Sequence, residues 1–125
     1  MSLGVFIYIM FVRLQIAERE TQLPEEEGET PIFESIGKGA MNNASPVRKP
    51  FARITLYDTF LAACLKSQRK TIFYKDILSM SLEEYAGREW LHIKAATPDG
   101  EIQVLFHSRD HQSLMEQIEI RSKAS

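Results

Sequence analysis

Cysteine is almost missing from this chain. Of 125 residues only Cys64 is a cysteine, so no internal disulfide can form. Cys64 lies inside an apolar run, which reads as a buried free thiol and suits a reducing compartment. Long apolar runs are also lacking. The longest uncharged apolar stretch is Leu3 to Val12 (LGVFIYIMFV), about half of the roughly 20 residues that a helical membrane span needs. A secretory signal would show a basic start and a small-residue cleavage site, and neither is present. Arg13 follows the run instead.

Catalytic and metal-binding signatures are missing too. The three histidines, His92, His107 and His111, have no cysteine or acidic partner at ligand spacing. They read as surface residues. Gly37-Lys38-Gly39 does not have the spacing of a phosphate loop. Ser35-Ile36-Gly37-Lys38 is an S-x-x-K string without its companion motifs. Asn43-Ala44-Ser45 is a glycosylation string, but nothing indicates export. No carboxylate pair stands out. The expectation is a non-enzyme that needs no cofactor and no metal.

What the chain has is period-two alternation. Ala52, Ile54 and Leu56 alternate with Arg53, Thr55 and Tyr57. After the break at Asp58-Thr59, Phe60, Ala62 and Cys64 alternate with Leu61, Ala63 and Leu65, which predicts a tight hairpin. Lys66 to Lys70 reads as a polar turn, and Thr71 to Tyr74 as a short strand. Leu78, Met80 and Leu82 alternate with serines, and Gly87 marks the next turn. Leu91, Ile93 and Ala95 predict one inward row; Ile102, Val104 and Phe106 predict the last, after the Pro98-Asp99-Gly100 turn. Ile32 to Met41 is a weaker strand, loosened by Gly37 and Gly39.

From Ser108 to Lys123 the period changes. Leu114, Met115 and Ile118 fall on one helical face, with Ser108 as N-cap, Asp110 in the first turn and Arg121 and Lys123 in the last. About seven strands followed by one amphipathic helix predict a mainly β domain whose helix closes a curled antiparallel sheet.

Charge and composition divide the chain into three parts. Residues 1–20 hold the apolar run and a helical continuation, read as the cytoplasmic end of a truncated single-pass membrane anchor, with a buried helix or extra strand packed on the domain, or a signal remnant, as the alternatives. Residues 21–30 (TQLPEEEGET) read as a solvated acidic linker. Residues 31–125 are the domain. Residues 1–30 carry −4, residues 38–75 carry +7, and residues 76–125 carry −4. The basic middle is the one charge feature that suggests a ligand, an anionic membrane surface. Its members are Lys38, Arg48, Lys49 and Arg53, followed by Lys66, Arg69 and Lys70. Nucleic acid is not expected, because the nearby aromatics read as strand residues. Trp90 and Leu105 fall on the outward register of adjacent strands, as do Leu61, Ala63 and Leu65. Such apolar rows need cover from a partner protein, a second copy or the N-terminal segment.

Three stretches resemble the bacterial pleckstrin-homology-like (PH and GRAM-type) domains: ARITLYDTFLAACL, KTIFYKDILSMSLEE, and EWLHIKAATPDGEIQVLFHSRDHQSLMEQI. The resemblance spans roughly residues 31–123. It implies a seven-stranded, partly open barrel or a pair of orthogonal sheets, capped by one C-terminal helix. It also implies headgroup contacts near the end of the first strand and on the second, where Lys38, Arg48, Lys49 and Arg53 lie. Self-association is common in that branch. The closing helix lacks the tryptophan that many eukaryotic members carry there; Trp90 lies on a strand instead. The combined expectation is a non-catalytic, membrane-tethered module for protein contact or self-association. An anionic-lipid-binding domain, or a regulatory fragment of a larger membrane protein, is the alternative.

Overall fold

The computed structural model describes residues 23–42, 47–65 and 68–124. The apolar run at 3–12, and the anchor reading built on it, lie outside them. The fold is mainly β, with seven antiparallel strands in one sheet and a C-terminal helix. The strands are β1 (Phe33–Met41), β2 (Val47–Leu56), β3 (Phe60–Leu65), β4 (Gln68–Phe73), β5 (Ile77–Tyr85), β6 (Arg88–Thr97) and β7 (Gly100–Ser108). Helix α1 is His111–Ala124. Short 3-10 turns occupy Pro24–Glu26 and Tyr74–Asp76. The sheet order is β4-β3-β2-β1-β7-β6-β5, so β4 and β5 are its edges.

β1 is the corner of the sheet. Its first half pairs with β2 from Phe33↔Leu56 to Gly37↔Ala52, and its second half pairs with β7 from Gly37↔Ser108 to Met41↔Val104. The β1–β2 register shifts between Gly37 and Gly39. These two glycines do not loosen the strand; they allow the close approach of β7. A Cβ on Gly37 would sit 2.1 Å from the His107 carbonyl oxygen, and one on Gly39 would sit 2.3 Å from that of Leu105.

The inward rows at Leu91, Ile93 and Ala95, and at Ile102, Val104 and Phe106, are buried as their alternation requires. Leu114 and Ile118 of α1 are buried against them, so the helix closes the core. Ser108 ends β7 rather than capping the helix. The Leu114 N–H donates to the Asp110 carbonyl at 2.9 Å, which makes Asp110 the residue that opens α1.

The first hairpin reverses one expectation. The register Leu56↔Leu61, Ile54↔Ala63, Ala52↔Leu65 puts Leu61, Ala63 and Leu65 on the inner face. Directly paired residues share a face of the sheet, so these three follow Ala52, Ile54 and Leu56 into the core. Phe60, Ala62 and Cys64 face outward, yet all six residues of β3 are buried. The expected Lys66–Lys70 turn is shorter than its polar run, since Gln68 to Lys70 already belong to β4.

Leu23 and Glu26 pack on that outer face. Leu23 joins the Tyr57, Phe60 and Ala62 cluster, in which the Tyr57 and Phe60 rings stack at 4.9 Å. Glu26 is 1% exposed. The acidic stretch is therefore solvated at Glu25, Glu27 and Glu29 but not at Glu26.

Candidate functional site

Among the described residues the cationic candidates Lys38, Arg53, Arg69 and Lys70 do not assemble into one pocket. Arg53 is 3% exposed and faces outward on β2. Its guanidinium donates to Glu26 Oε1 at 2.9 Å, to Thr55 Oγ1 at 2.6 Å and to Cys64 Sγ at 3.0 Å. Tyr57 Oη and the Leu23 N–H also donate to the Glu26 carboxylate, at 2.8 and 2.6 Å. Burial alone would raise the pKa of Glu26. The hydrogen bonds from Arg53, the Leu23 N–H and Tyr57 outweigh that and hold it below the usual carboxylate range. Arg53 is thus a clamp for the N-terminal turn and is withdrawn as a headgroup ligand. The sequence offered only a weak sign of this: Pro24 pre-sets the turn that delivers Glu26 to the sheet.

Lys38 lies half-buried on the outer face of β1, with Nζ 5.5 Å from the Trp90 ring centroid. Trp90 is flanked by His107 at 5.6 Å and its Nε1–H donates to the Tyr85 carbonyl at 3.3 Å. The expected Trp90–Leu105 row is therefore interrupted. Leu105 pairs with His92, while Trp90 pairs with Glu83 on its other side. Both are half-buried.

Arg69 and Lys70 line a cleft of about 470 Å³ beside β4, closed by Leu23 and Pro24 on one side and by Ala96 to Asp99 on the other. Lys70 is ion-paired with Asp99 across it at 3.0 Å. Lys66 and the side chains of Arg48 and Lys49 lie outside the described residues. The antiparallel pairing nevertheless brings the starts of β2 and β4 to the same end of the sheet.

The histidines are not uniformly surface residues. His111 is buried, with Nε2 3.0 Å from Glu89 Oε1 and Nδ1 2.7 Å from the Ser108 carbonyl. The Gln112 amide and His111 hold the Glu89 carboxyl below the usual range. His92 meets Glu83 and Gln103. The His107 and His111 rings lie 5.1 Å apart, but Nδ1 of His107 faces the Glu89 carbonyl. Among the described residues no group of three ligand-type side chains is placed to hold a metal ion.

The β5 edge is the feature that sequence reading missed. Leu78 is 59% exposed, Leu82 38% and Tyr85 48%. In sequence Leu78, Met80 and Leu82 alternate with Ser79 and Ser81. A bulge between Ile77 and Ser79 takes Leu78 out of register, and Leu82, opposite Leu91, sits at the uncovered rim of the core. On α1, Ile120 is exposed as well.

The chain is similar to a solved domain described as the C-terminal domain of an unknown protein from Leishmania infantum. The TM-score is 0.62 at 11% identity, covering 93% of this chain and 97% of that one. That likeness shows the fold alone. No family model matches the sequence, and no curated protein matches it. Among the described residues no helix is long and apolar enough to cross a membrane.

Proposed function

We propose that this chain is a non-catalytic interaction module of the pleckstrin-homology-like type, tethered to a membrane and working through protein contact, self-association included. The observation that carries the reading is the unclosed sheet, whose β5 edge leaves Leu78, Leu82 and Tyr85 in solvent. An exposed apolar edge strand is a template for pairing with another chain. The strand order and the single closing helix support the pleckstrin-homology-like assignment. Tethering rests on the apolar run at Leu3 to Val12. Sedimentation velocity of the full chain tests the contact reading. It should show mass that rises with concentration, and a monomer at every concentration would refute self-association.

A second reading adds anionic lipid, favoured by the basic starts of β2 (Arg48, Lys49) and β4 (Arg69, Lys70), which the antiparallel pairing brings to one end of the sheet. Each exposed Lys or Arg near an anionic leaflet contributes about 1 kcal/mol. Binding should then appear on anionic vesicles and fall as salt rises, because exposed charges are screened over about 10 Å at 0.1 M. Equal co-sedimentation with neutral and anionic vesicles would rule it out.

A further inference from the structure

Resting on the protein-contact reading, we propose that β5 pairs antiparallel with β5 of a second copy, about a two-fold axis at Ser81. The two edges of the sheet differ in kind. β4 opens with Gln68, Arg69 and Lys70, its Ile72 is buried, and Lys70 is engaged with Asp99. Lysine and arginine are common guards of edge strands. β5 is nine residues long and carries no lysine, arginine or proline, while Leu78, Leu82 and Tyr85 are exposed along it. Its only charges are Glu83 and Glu84, so the pairing register decides whether they tolerate a partner.

Two-fold antiparallel pairing keeps each face on its own side, so the axis must pass through a residue. An axis at Glu83 sets carboxylate against carboxylate. An axis at Leu82 sets Met80 against Glu84. An axis at Ser81 pairs Met80 with Leu82 twice and Ser79 with Glu83 twice, and sets Glu84 only against Leu78, which the bulge takes out of register and leaves exposed, with no like charges opposed. The Met80–Leu82 pairs continue the inner face, where Met80 already packs against the core and Leu82 is at the rim. The same register brings Tyr85 of the second copy to the bulged end, beside Ile77 and the exposed Leu78.

The outer face supplies charge complementarity. Ser79 pairs with Lys94 of β6 in its own chain. Strands lie about 4.8 Å apart, so Lys94 is roughly 9.6 Å from the backbone at Glu83 of the second copy. Only the short Ser79 side chain stands between them. Lys94 can reach across it to the Glu83 carboxylate, which in its own chain already meets His92, Ser81 and Tyr85, and the two-fold axis repeats the contact. A chain that supplies both the apolar and the charged half of each contact favours a second copy over an unlike partner.

Two variants test the pairing in the full chain. Leu82→Lys places a charge in each apolar pair, and should raise the dimer dissociation constant about tenfold or more with an unchanged circular dichroism spectrum. Ser81→Cys puts two thiols across the axis, where paired Cα atoms about 4.5–5.5 Å apart fall within disulfide range. Mild oxidation should yield a covalent dimer. The native Cys64 is buried, and Glu101→Cys, exposed on β7, is the negative control. If Leu82→Lys fails to fold, the Ser81→Cys cross-link decides. A wild-type dimer that persists in Leu82→Lys, or that leaves Ser81→Cys uncross-linked, overturns this surface and leaves the interaction-module reading standing. A wild type that stays monomeric throughout overturns the pairing and self-association together.

Discussion

Substituting Glu26→Gln should be among the most damaging single changes to the domain outside its apolar core. The side chain is 1% exposed and its carboxylate accepts from Arg53, Tyr57 and the Leu23 N–H. The amide is nearly isosteric, so packing survives while the anion is lost. Arg53, itself 3% exposed, then keeps its charge without its nearest counterion. Removing one member of a buried pair typically costs about 3–5 kcal/mol, because the other charge is left uncompensated. In a domain of this size, about 4 °C of Tm is lost per kcal/mol, so thermal melts at pH 7 should fall by roughly 12–20 °C. Beginning the chain at Pro31 removes the same carboxylate and should cost as much. The double substitution Glu26→Met with Arg53→Met should recover most of the loss, since apolar replacement of a buried pair is often neutral or better. The pH dependence has a fixed sign. The folded-state pKa of Glu26 is held below that of an ordinary carboxylate by Arg53, the Leu23 N–H and Tyr57. Its contribution is therefore complete above the unfolded carboxylate's pKa and is lost as pH falls through the lower folded-state pKa. Wild type should lose stability in that acid window, and Glu26→Gln should lose less. A Glu26→Gln protein within about 1 kcal/mol of wild type at pH 7 would refute the clamp, since exposed pairs contribute only that much.

Gly37→Ala and Gly39→Ala should each disrupt the pairing of β1 with β7. Their Cβ atoms would meet backbone oxygens at 2.1 and 2.3 Å, and backbone cannot yield as a flexible side chain does. Loss of the cooperative melt, or a fall of more than about 3 kcal/mol, is the expected outcome, and near-wild-type stability would refute the corner. Ala86 has φ 52° ahead of Gly87 at φ 76°, the two-residue hairpin turn that favours Asn-Gly. Ala86→Asn should raise stability by about 0.5–1 kcal/mol in denaturant titration, and a decrease would argue against that turn.

Much of the architecture was legible before any coordinates. Inward rows such as Leu91, Ile93 and Ala95 alternate with polar or larger outward residues, and a period of two survives any choice of partner strand. The change to helical spacing at Leu114 and Ile118 identified the closing helix for the same local reason. Face and partner were harder to read. Both rows of β3 are apolar, so alternation could not say that Leu61, Ala63 and Leu65 face the core; the Ala52↔Leu65 register decided that. Gly37 and Gly39 looked like breakers because a single strand shows only their lost propensity, whereas the close approach of β7 makes them necessary.

The candidate site was less legible still. The run of basic residues was visible in sequence, but charge reports neither burial nor pairing. Arg53 is consumed by Glu26, 27 positions away, and Lys70 by Asp99, 29 away. Trp90 was visible as an outward aromatic, but its cover by Lys38 depends on β1 lying two strands from β6. The exposed β5 edge depends on sheet order and on the Leu78 bulge, neither of which is encoded by local spacing. By itself the sequence determined which segments alternate, where turns fall and where the helix begins, because these follow from neighbours along the chain. The tertiary structure alone decided which charges are spent internally and which apolar residues stay uncovered, because both depend on contacts between residues far apart in sequence.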